Sequence, residues 1–321
     1  MSKVRGRSDF QYGQKKKFSK GVVMSKIKII VADTFGTDLL TDRVKNYFPK
    51  TTFIGHNIGG SHENKAHPHG FQVASRMLLP LIDDDVEVHF IRYLDSHGED
   101  PNRELFKLVK EIKPDLWQNS WGQPRVKGVT DNVIAQAWKD WVVEEQELRT
   151  ELKYILSFAG GNTDTFGLSF HDVGYPTRLI NNVVVSGAID RTGHVTDFSS
   201  DGNITCCALG HYVMVLNPYT AKWEIGSGTS FASPDTAGLI LWLKKHQGVD
   251  TYDKFIEWLH MNATTPEGFP SDQLPHPKFG WGGVSDAYME VTKNADAYVK
   301  AGVPPVGPNP RMMWFDFTRV G

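Results

Sequence analysis

A serine at the head of a buried helix is the most specific chemical signal in this sequence. The stretch Gly226-Ser227-Gly228-Thr229-Ser230-Phe231-Ala232-Ser233-Pro234 runs into Asp235-Thr236-Ala237-Gly238-Leu239-Ile240-Leu241-Trp242-Leu243. The second half is apolar almost all round, which predicts a helix buried in a large core. Pro234 lacks an N–H and is best tolerated in a helix's first turn, so the start is expected near Ser230. A serine there sits among unpaired N–H groups at the positive end of a helix dipole, where a developing anion is stabilised. The plainer alternative is a Ser/Thr helix cap. Small neighbours, the early proline and the buried helix favour a nucleophile, which then needs a base from elsewhere in the chain.

Three residues answer that need. His69 stands at the head of the predicted helix His69-Gly70-Phe71-Gln72-Val73-Ala74-Ser75-Arg76-Met77-Leu78, which starts at Pro68 or His69, with a glycine behind it where another backbone can approach closely. A lone histidine is usually a solvated or satisfied side chain, and only a partner serine and aspartate give it another meaning. Asp33 ends the β-branched stretch Lys26-Ile27-Lys28-Ile29-Ile30-Val31-Ala32, a predicted buried strand. Open α/β sheets place their sites at that edge, although an aspartate there also serves as a local cap. Asp38 and Asp42 are weaker candidates on a helix expected from Asp38 to Tyr47. Asn162 follows the predicted strand Tyr154–Ala159 in the turn Gly160-Gly161-Asn162. Such a turn is either only a turn or a mount for an amide donor. The nearby His56, His62, Glu63 and His67 invite a metal reading, but no cysteine and no His-Glu-x-x-His accompany them. No metal ligand is expected.

The elements that must position these residues alternate. Strands are expected at Val86–Tyr93, Asn182–Ile189, Val195–Ser200 and Ala208–Leu216, and Asp115–Gly122 is expected to be a short strand running into a glycine turn. Helices are expected at Glu104–Ile112, Asp131–Lys153, Tyr252–Asn262 and Ser285–Lys293. Alternation of this kind implies an α/β fold with a mainly parallel central sheet and helices on both faces.

With 321 residues, 40% of them hydrophobic, the chain can bury a sizeable core. No run of eighteen apolar residues spans a membrane, and the polar, basic start lacks the apolar centre of a secretory signal. The two cysteines, Cys206 and Cys207, are adjacent and give no disulfide framework, so a reducing, cytoplasmic setting is expected. A net charge of −2 argues against nucleic acid as the main partner. That charge is uneven: residues 1–26 carry a net of +7 and leave −9 for the remainder. Met1-Ser2-Lys3 recurs as Met24-Ser25-Lys26. Residues 1–25 are therefore expected to be a basic extension, disordered or a short pro-segment, ahead of a main domain at 26–295. A Pro-rich and then apolar tail at 296–321 is expected to pack on its own body.

The order Asp33, His69, Ser230 and the residues around each resemble the subtilisin-like (subtilase) serine proteases. Gly228-Thr229-Ser230-Phe231-Ala232-Ser233-Pro234 is similar to the family's Gly-Thr-Ser-x-Ala-x-Pro nucleophile motif in every fixed position, and Ala237-Gly238 continues it. His69-Gly70-x-x-Val73-Ala74 resembles the histidine motif, with Phe71-Gln72 and Ser75 departing from it. Ala32-Asp33-Thr34 resembles the aspartate motif, with Phe35 in the usual glycine position and Gly36 one later. Gly161-Asn162 resembles the oxyanion turn, and Ser120-Trp121-Gly122 the substrate strand. Val184-Val185-Ser186-Gly187-Ala188-Ile189-Asp190, Phe198-Ser199-Ser200 and Phe279-Gly280-Trp281-Gly282-Gly283 extend the similarity over residues 26–292.

The resemblance implies a subtilisin-like fold and a serine endopeptidase with Asp33, His69 and Ser230 as catalytic triad and Asn162 in the oxyanion hole. It implies a polypeptide substrate held by Ser120, Trp121, Gly122, Gly160, Gly161 and Thr163. Trp121 is expected to narrow the specificity pocket, and Thr163 to favour an uncharged residue before the cut. Phe35 and Phe71-Gln72 single out the Asp33–His69 pair as the place where geometry is expected to change. No cofactor is required. Structural calcium, carried by the family in a loop after the histidine motif, is not indicated, because Ala74–Val86 runs almost directly from helix to strand. Neither nucleic acid nor membrane is an expected partner. The alternative is a catalytically silent fold of this type used for peptide binding or assembly.

Overall fold

The computed structural model describes residues 26–35, 41–58, 67–93, 100–123, 128–163, 174–265, 269–284 and 300–303. The basic extension, Gly36, Asp38, His62, Glu63, the helix expected at Ser285–Lys293 and the tail from Pro304 lie outside them.

Seven strands form one parallel sheet: β1 (Ile27–Asp33), β2 (Thr51–Asn57), β3 (Val86–Arg92), β4 (Leu116–Asn119), β5 (Ile155–Ala159), β6 (Val184–Ile189) and β7 (Cys206–Leu209). Their order is β2-β3-β1-β4-β5-β6-β7, with every pairing parallel. From β1 the chain passes to the edge strand β2, returns to β3 between the two, then crosses over to β4 and builds outward on the other side. This reversal leaves a crevice between β1 and β4, outside their carboxyl ends, which is where such sheets hold their ligands. Asp33 closes β1 and Ser120 follows β4, so both stand on its rim.

Successive strand residues face opposite layers. From β1, Ile29 and Val31 join a core built with helices α2 (His69–Met77), α5 (Thr229–Gln247) and α6 (Tyr252–Asn262). Ile30 and Ala32 join a second core beneath α3 (Pro101–Ile112) and α4 (Asp131–Leu152). The expected two-faced parallel sheet is present. Among the described residues no helix is long and apolar enough to cross a membrane, and Cys206 and Cys207 are both buried free thiols.

Several local expectations need correction. The helix from Asp38 to Tyr47 shrinks, within the described residues, to α1 (Asp42–Lys45), and the Asp42 side chain is 98% exposed there. Strand β2 was not anticipated: as an edge strand it is only half buried, so its sequence lacks a clear apolar alternation. The single strand expected over Ala208–Leu216 divides, because the chain breaks at Gly210-His211-Tyr212 with Tyr212 at φ +52°. Its second part, β8 (Val213–Asn217), forms an antiparallel hairpin with β9 (Lys222–Gly226), which leads into the Ser230 turn. Val195–Ser200 is not a strand but a turn joined to its neighbours by isolated bridges, Ile189 to Val195 and Asn162 to Ser199. Helix α3 begins at Pro101, three residues earlier than expected, since the Asp100 side chain accepts the Arg103 N–H at 3.0 Å and caps it.

Candidate active site

Helix α5 starts one residue before Ser230, behind Gly228. Pro234 therefore lies in the second turn, not the first as the sequence suggested. Its missing N–H is the one that would have bonded to the carbonyl of Ser230, four residues earlier. That carbonyl accepts instead from the Ser120 hydroxyl at 2.9 Å. The proline thus opens a place for β4 to fasten onto the nucleophile turn. Gln118 Nε2 reinforces the seam, donating to Ser120 Oγ at 3.1 Å and to Ser233 Oγ at 2.8 Å, while Ser157 Oγ lies 3.2 Å from Ser233 Oγ.

Asp33 is fully buried and holds His69 from below. His69 Nδ1 lies 2.8 Å from Oδ1 and 3.0 Å from Oδ2. The carboxylate is itself fixed by the Thr34 N–H (2.6 Å) and hydroxyl (3.1 Å). Gly70 permits this approach: its N–H donates to the Thr34 carbonyl at 3.2 Å, and a Cβ there would stand 2.9 Å from that oxygen. With Nδ1 engaged by a carboxylate, the ring's other nitrogen, Nε2, is left as the acceptor. Burial alone would lower the imidazole's pKa. The Asp33 charge and hydrogen bond outweigh it, and the pKa rises above its ordinary value of 6.5. Phe35 and Phe71, the departures beside this pair, point into the core and leave it intact. Phe35 stacks on Phe90 at 4.3 Å, and Phe71 packs against Phe90 and Phe53 at 6.0 and 5.7 Å.

Of the other described histidines, His67 borders the pair, its Nδ1 accepting the His69 N–H at 3.3 Å, and His56 lies away from it. His67 Nδ1 contacts Thr34 Oγ1 at 3.1 Å, and His56 pairs with His89 at 2.9 Å. Among the described residues no group of three or more His, Cys, Asp or Glu could hold a metal ion.

Asn162 is locked by its oxygen. Oδ1 accepts from the Thr229 N–H at 2.9 Å and from its hydroxyl at 3.0 Å, and Thr229 Oγ1 in turn accepts from the Gly161 N–H at 3.0 Å. A main-chain N–H can only donate, so the amide's orientation follows: Oδ1 faces Thr229, and Nδ2 is the amide atom nearer the open side of Gly228. A methyl placed on Gly228 would lie 3.3 Å from Asn162 Nδ2 and 3.7 Å from the Ser230 nitrogen, so the two donors border one small space.

Ser230 Oγ donates to the Ser120 carbonyl at 3.2 Å. No hydrogen bond joins it to His69; next to Ser230, the Phe231 ring lies 6.0 Å from the imidazole. The flanking candidates form two short walls. On one, Gln123, just beyond Gly122, exchanges main-chain hydrogen bonds with Tyr175 (2.8 and 2.9 Å). On the other, Gly160 donates to Ser186 O, Ser200 N donates to Gly161 O, and Thr163 N donates to Phe198 O. Trp121 stands on the sheet face opposite Ser120. Its indole N–H donates to Ala32 O at 3.0 Å, and its ring packs on Tyr93 and Phe158, each at 5.3 Å. Sequence reasoning missed Thr34, Gln118 and Ser233. Gln118 and Ser233 are buried polar residues within β4 and α5, and Thr34 follows β1 directly, signals that only a known partner makes readable.

A family model, that of the subtilase family, matches residues 84–282, a span holding Asn162 and Ser230. The chain belongs to the subtilase family. Asp33 and His69 precede the matched span, and it is the fold that brings them to the same crevice. No curated protein matches the sequence. Among solved structures, this subtilase is similar to a lanthipeptide protease, at 16% identity and a TM-score of 0.61 over 83% of this chain and 87% of that one. It is also similar to the prenylagaramide maturation protease PagA, at 21% identity and a TM-score of 0.58 over 84% and 92%. The patellamide maturation protease PatA gives 19% identity and a TM-score of 0.58 over 83% and 97%.

Proposed function

We propose that this subtilase is a serine endopeptidase in which Ser230 is the nucleophile, His69 the general base and Asp33 the residue that orients the imidazole and stabilises the imidazolium as it forms. The reading is carried by the carboxylate clasp on His69 at the crevice where Ser230 opens α5. The reading requires Ser230 Oγ to leave the Ser120 carbonyl and bond to His69 Nε2 when substrate binds; such bonds are often long or absent before substrate arrives. Oγ then attacks the scissile carbonyl while its proton passes to Nε2. The oxyanion is met by Asn162 Nδ2 and the Ser230 N–H. His69 returns the proton to the departing amine, and water completes hydrolysis of the acyl-enzyme. An extended segment of substrate pairs its backbone with Ser120–Gly122, opposite Gly160, Gly161 and Thr163. Base, nucleophile and donors are all protein groups, so this chemistry requires neither a cofactor nor calcium.

The bond from Ser230 Oγ to Ser120 is the observation that favours the second reading, a silent peptide-binding fold. A fluorophosphonate probe separates the two. Labelling at Ser230 under native conditions, lost in Ser230→Ala together with peptide cleavage, is the expected result. A folded protein that the probe never modifies leaves only the binding role.

A further inference from the structure

The hydroxyl of Ser230 and the imidazole of His69 do not hold each other in this structure, so their separation is set by the helices that carry them. Helix α2 presents His69 at its first turn, and seven residues on, near the same face, it presents Arg76. Helix α5 carries Ser230 and, five residues on, Asp235. Arg76 Nε donates to Asp235 Oδ1 at 2.8 Å and Nη2 to Oδ2 at 2.5 Å, a two-pronged contact with the side chains 2% and 6% exposed. Arg76 Nη1 adds a bond to the Met214 carbonyl on β8 at 3.3 Å, and Ser75 Oγ accepts the Leu216 N–H at 3.0 Å. Both lie on the hairpin that feeds the nucleophile turn. Further along, the helices touch backbone to side, since a Cβ on Gly238 would stand 2.5 Å from the Met77 carbonyl.

A planar fork fixes rotation as well as distance, which a pair of aliphatic side chains does not. Its desolvation is costly, and buried pairs of this kind are often no more stable than well-packed apolar replacements. Stability alone is therefore a poor reason for it to be here.

We propose that Arg76 and Asp235 are positioning residues that set the distance and angle between His69 and Ser230. The inference rests on the endopeptidase reading above. It predicts a change in turnover that stability does not explain.

The test is the double variant Arg76→Met/Asp235→Leu, which removes the fork without stranding a buried charge. Its melting temperature is expected to equal or exceed that of the parent. Its kcat and its rate of fluorophosphonate labelling fall together, by roughly tenfold to a hundredfold, the effect of misplacing reacting groups by up to about 1 Å. KM is unchanged. Arg76→Lys keeps the charge but loses the fork, and its kcat is expected to lie in between. A folded double variant with parental labelling and turnover overturns the proposal. If the double variant does not fold, Arg76→Lys decides: parental kcat overturns it, and a several-fold loss at unchanged KM upholds it. A parent protein that never labels at Ser230 overturns the endopeptidase reading and this inference with it.

Discussion

Gly228 is the position where a single methyl group tests the oxyanion geometry most directly. Its backbone is at φ +147° and ψ +155°, a region closed to residues with a Cβ. The added Cβ of Gly228→Ala would lie 3.3 Å from Asn162 Nδ2 and 3.7 Å from the Ser230 nitrogen. An oxyanion needs the same two donors at roughly 2.7–3.1 Å. Two consequences follow from different parts of this geometry. Backbone strain costs about 1–3 kcal/mol of stability, read as a lower melting temperature. Obstruction of the donors costs about 2.7–4 kcal/mol in the transition state, the range known for loss of one such donor in a related enzyme, or ~10²–10³ in kcat.

The assay is steady-state cleavage of a chromogenic peptide, with kcat and KM separated. Because the carbonyl oxygen becomes an oxyanion only in the transition state, KM is expected to change little. Asn162→Ala alone should show a similar loss. If both act on one space, Gly228→Ala/Asn162→Ala falls only about as far as the worse single variant instead of multiplying the two. A Gly228→Ala protein that keeps kcat within about threefold, or a fully multiplicative double variant, refutes the placement of the oxyanion between Asn162 and Ser230.

The Asp33–His69 pair predicts a pH dependence of definite sign. The folded imidazole titrates above 6.5, and catalysis needs it neutral, so the acid limb of kcat/KM is expected to lie above pH 6.5. The same shift makes this group's contribution to stability complete below pH 6.5 and lost as pH rises through the folded pKa. Asp33→Asn removes both raising influences and leaves burial, so the acid limb moves below 6.5 while the plateau falls by ~10⁴; an unmoved limb contradicts the assignment. Thr229→Val removes the hydroxyl that bridges Gly161 N and Asn162 Oδ1 but keeps the main-chain bond to that oxygen. About one hydrogen bond's worth of orientation is lost, roughly 1 kcal/mol or about fivefold in kcat, and measurement of kcat with the melting temperature checks it.

Much of the site was legible because its residues sit where backbone rules leave few choices. Asp33, Ser120 and Asn162 each follow a short buried strand, and parallel strands deliver their carboxyl ends to one edge. His69 and Ser230 are each at a helix start next to a glycine that a side chain would push away. What failed was local. Pro234 misplaced the helix start by little but gave the wrong reason, because a proline in the second turn is costly unless another donor takes the freed carbonyl. That donor, Ser120, is 110 residues away in sequence. The split of Ala208–Leu216 failed similarly, since both halves are apolar and only the left-handed Tyr212 between them breaks the strand.

Phe35 and Phe71 show how departures from a family's pattern are misread one at a time. Each replaces a small or polar residue beside the Asp33–His69 pair, and either alone looks like an intrusion. In the fold they lean on the same partner, Phe90, with Phe53 closing the stack from β2. The added volume is taken up beneath α2, on the core side of the helix. There it supports the turn that carries His69 and does not crowd the imidazole. A close-packed interior takes such volume only where neighbours leave room, and the stack of Phe35 and Phe71 on Phe90 is where it is housed. The 2.8 Å contact from Asp33 to His69 is what that compensation leaves in place. The change of geometry expected at the Asp33–His69 pair is absent, because Phe35 and Phe71 pack away from it as one cluster on Phe90.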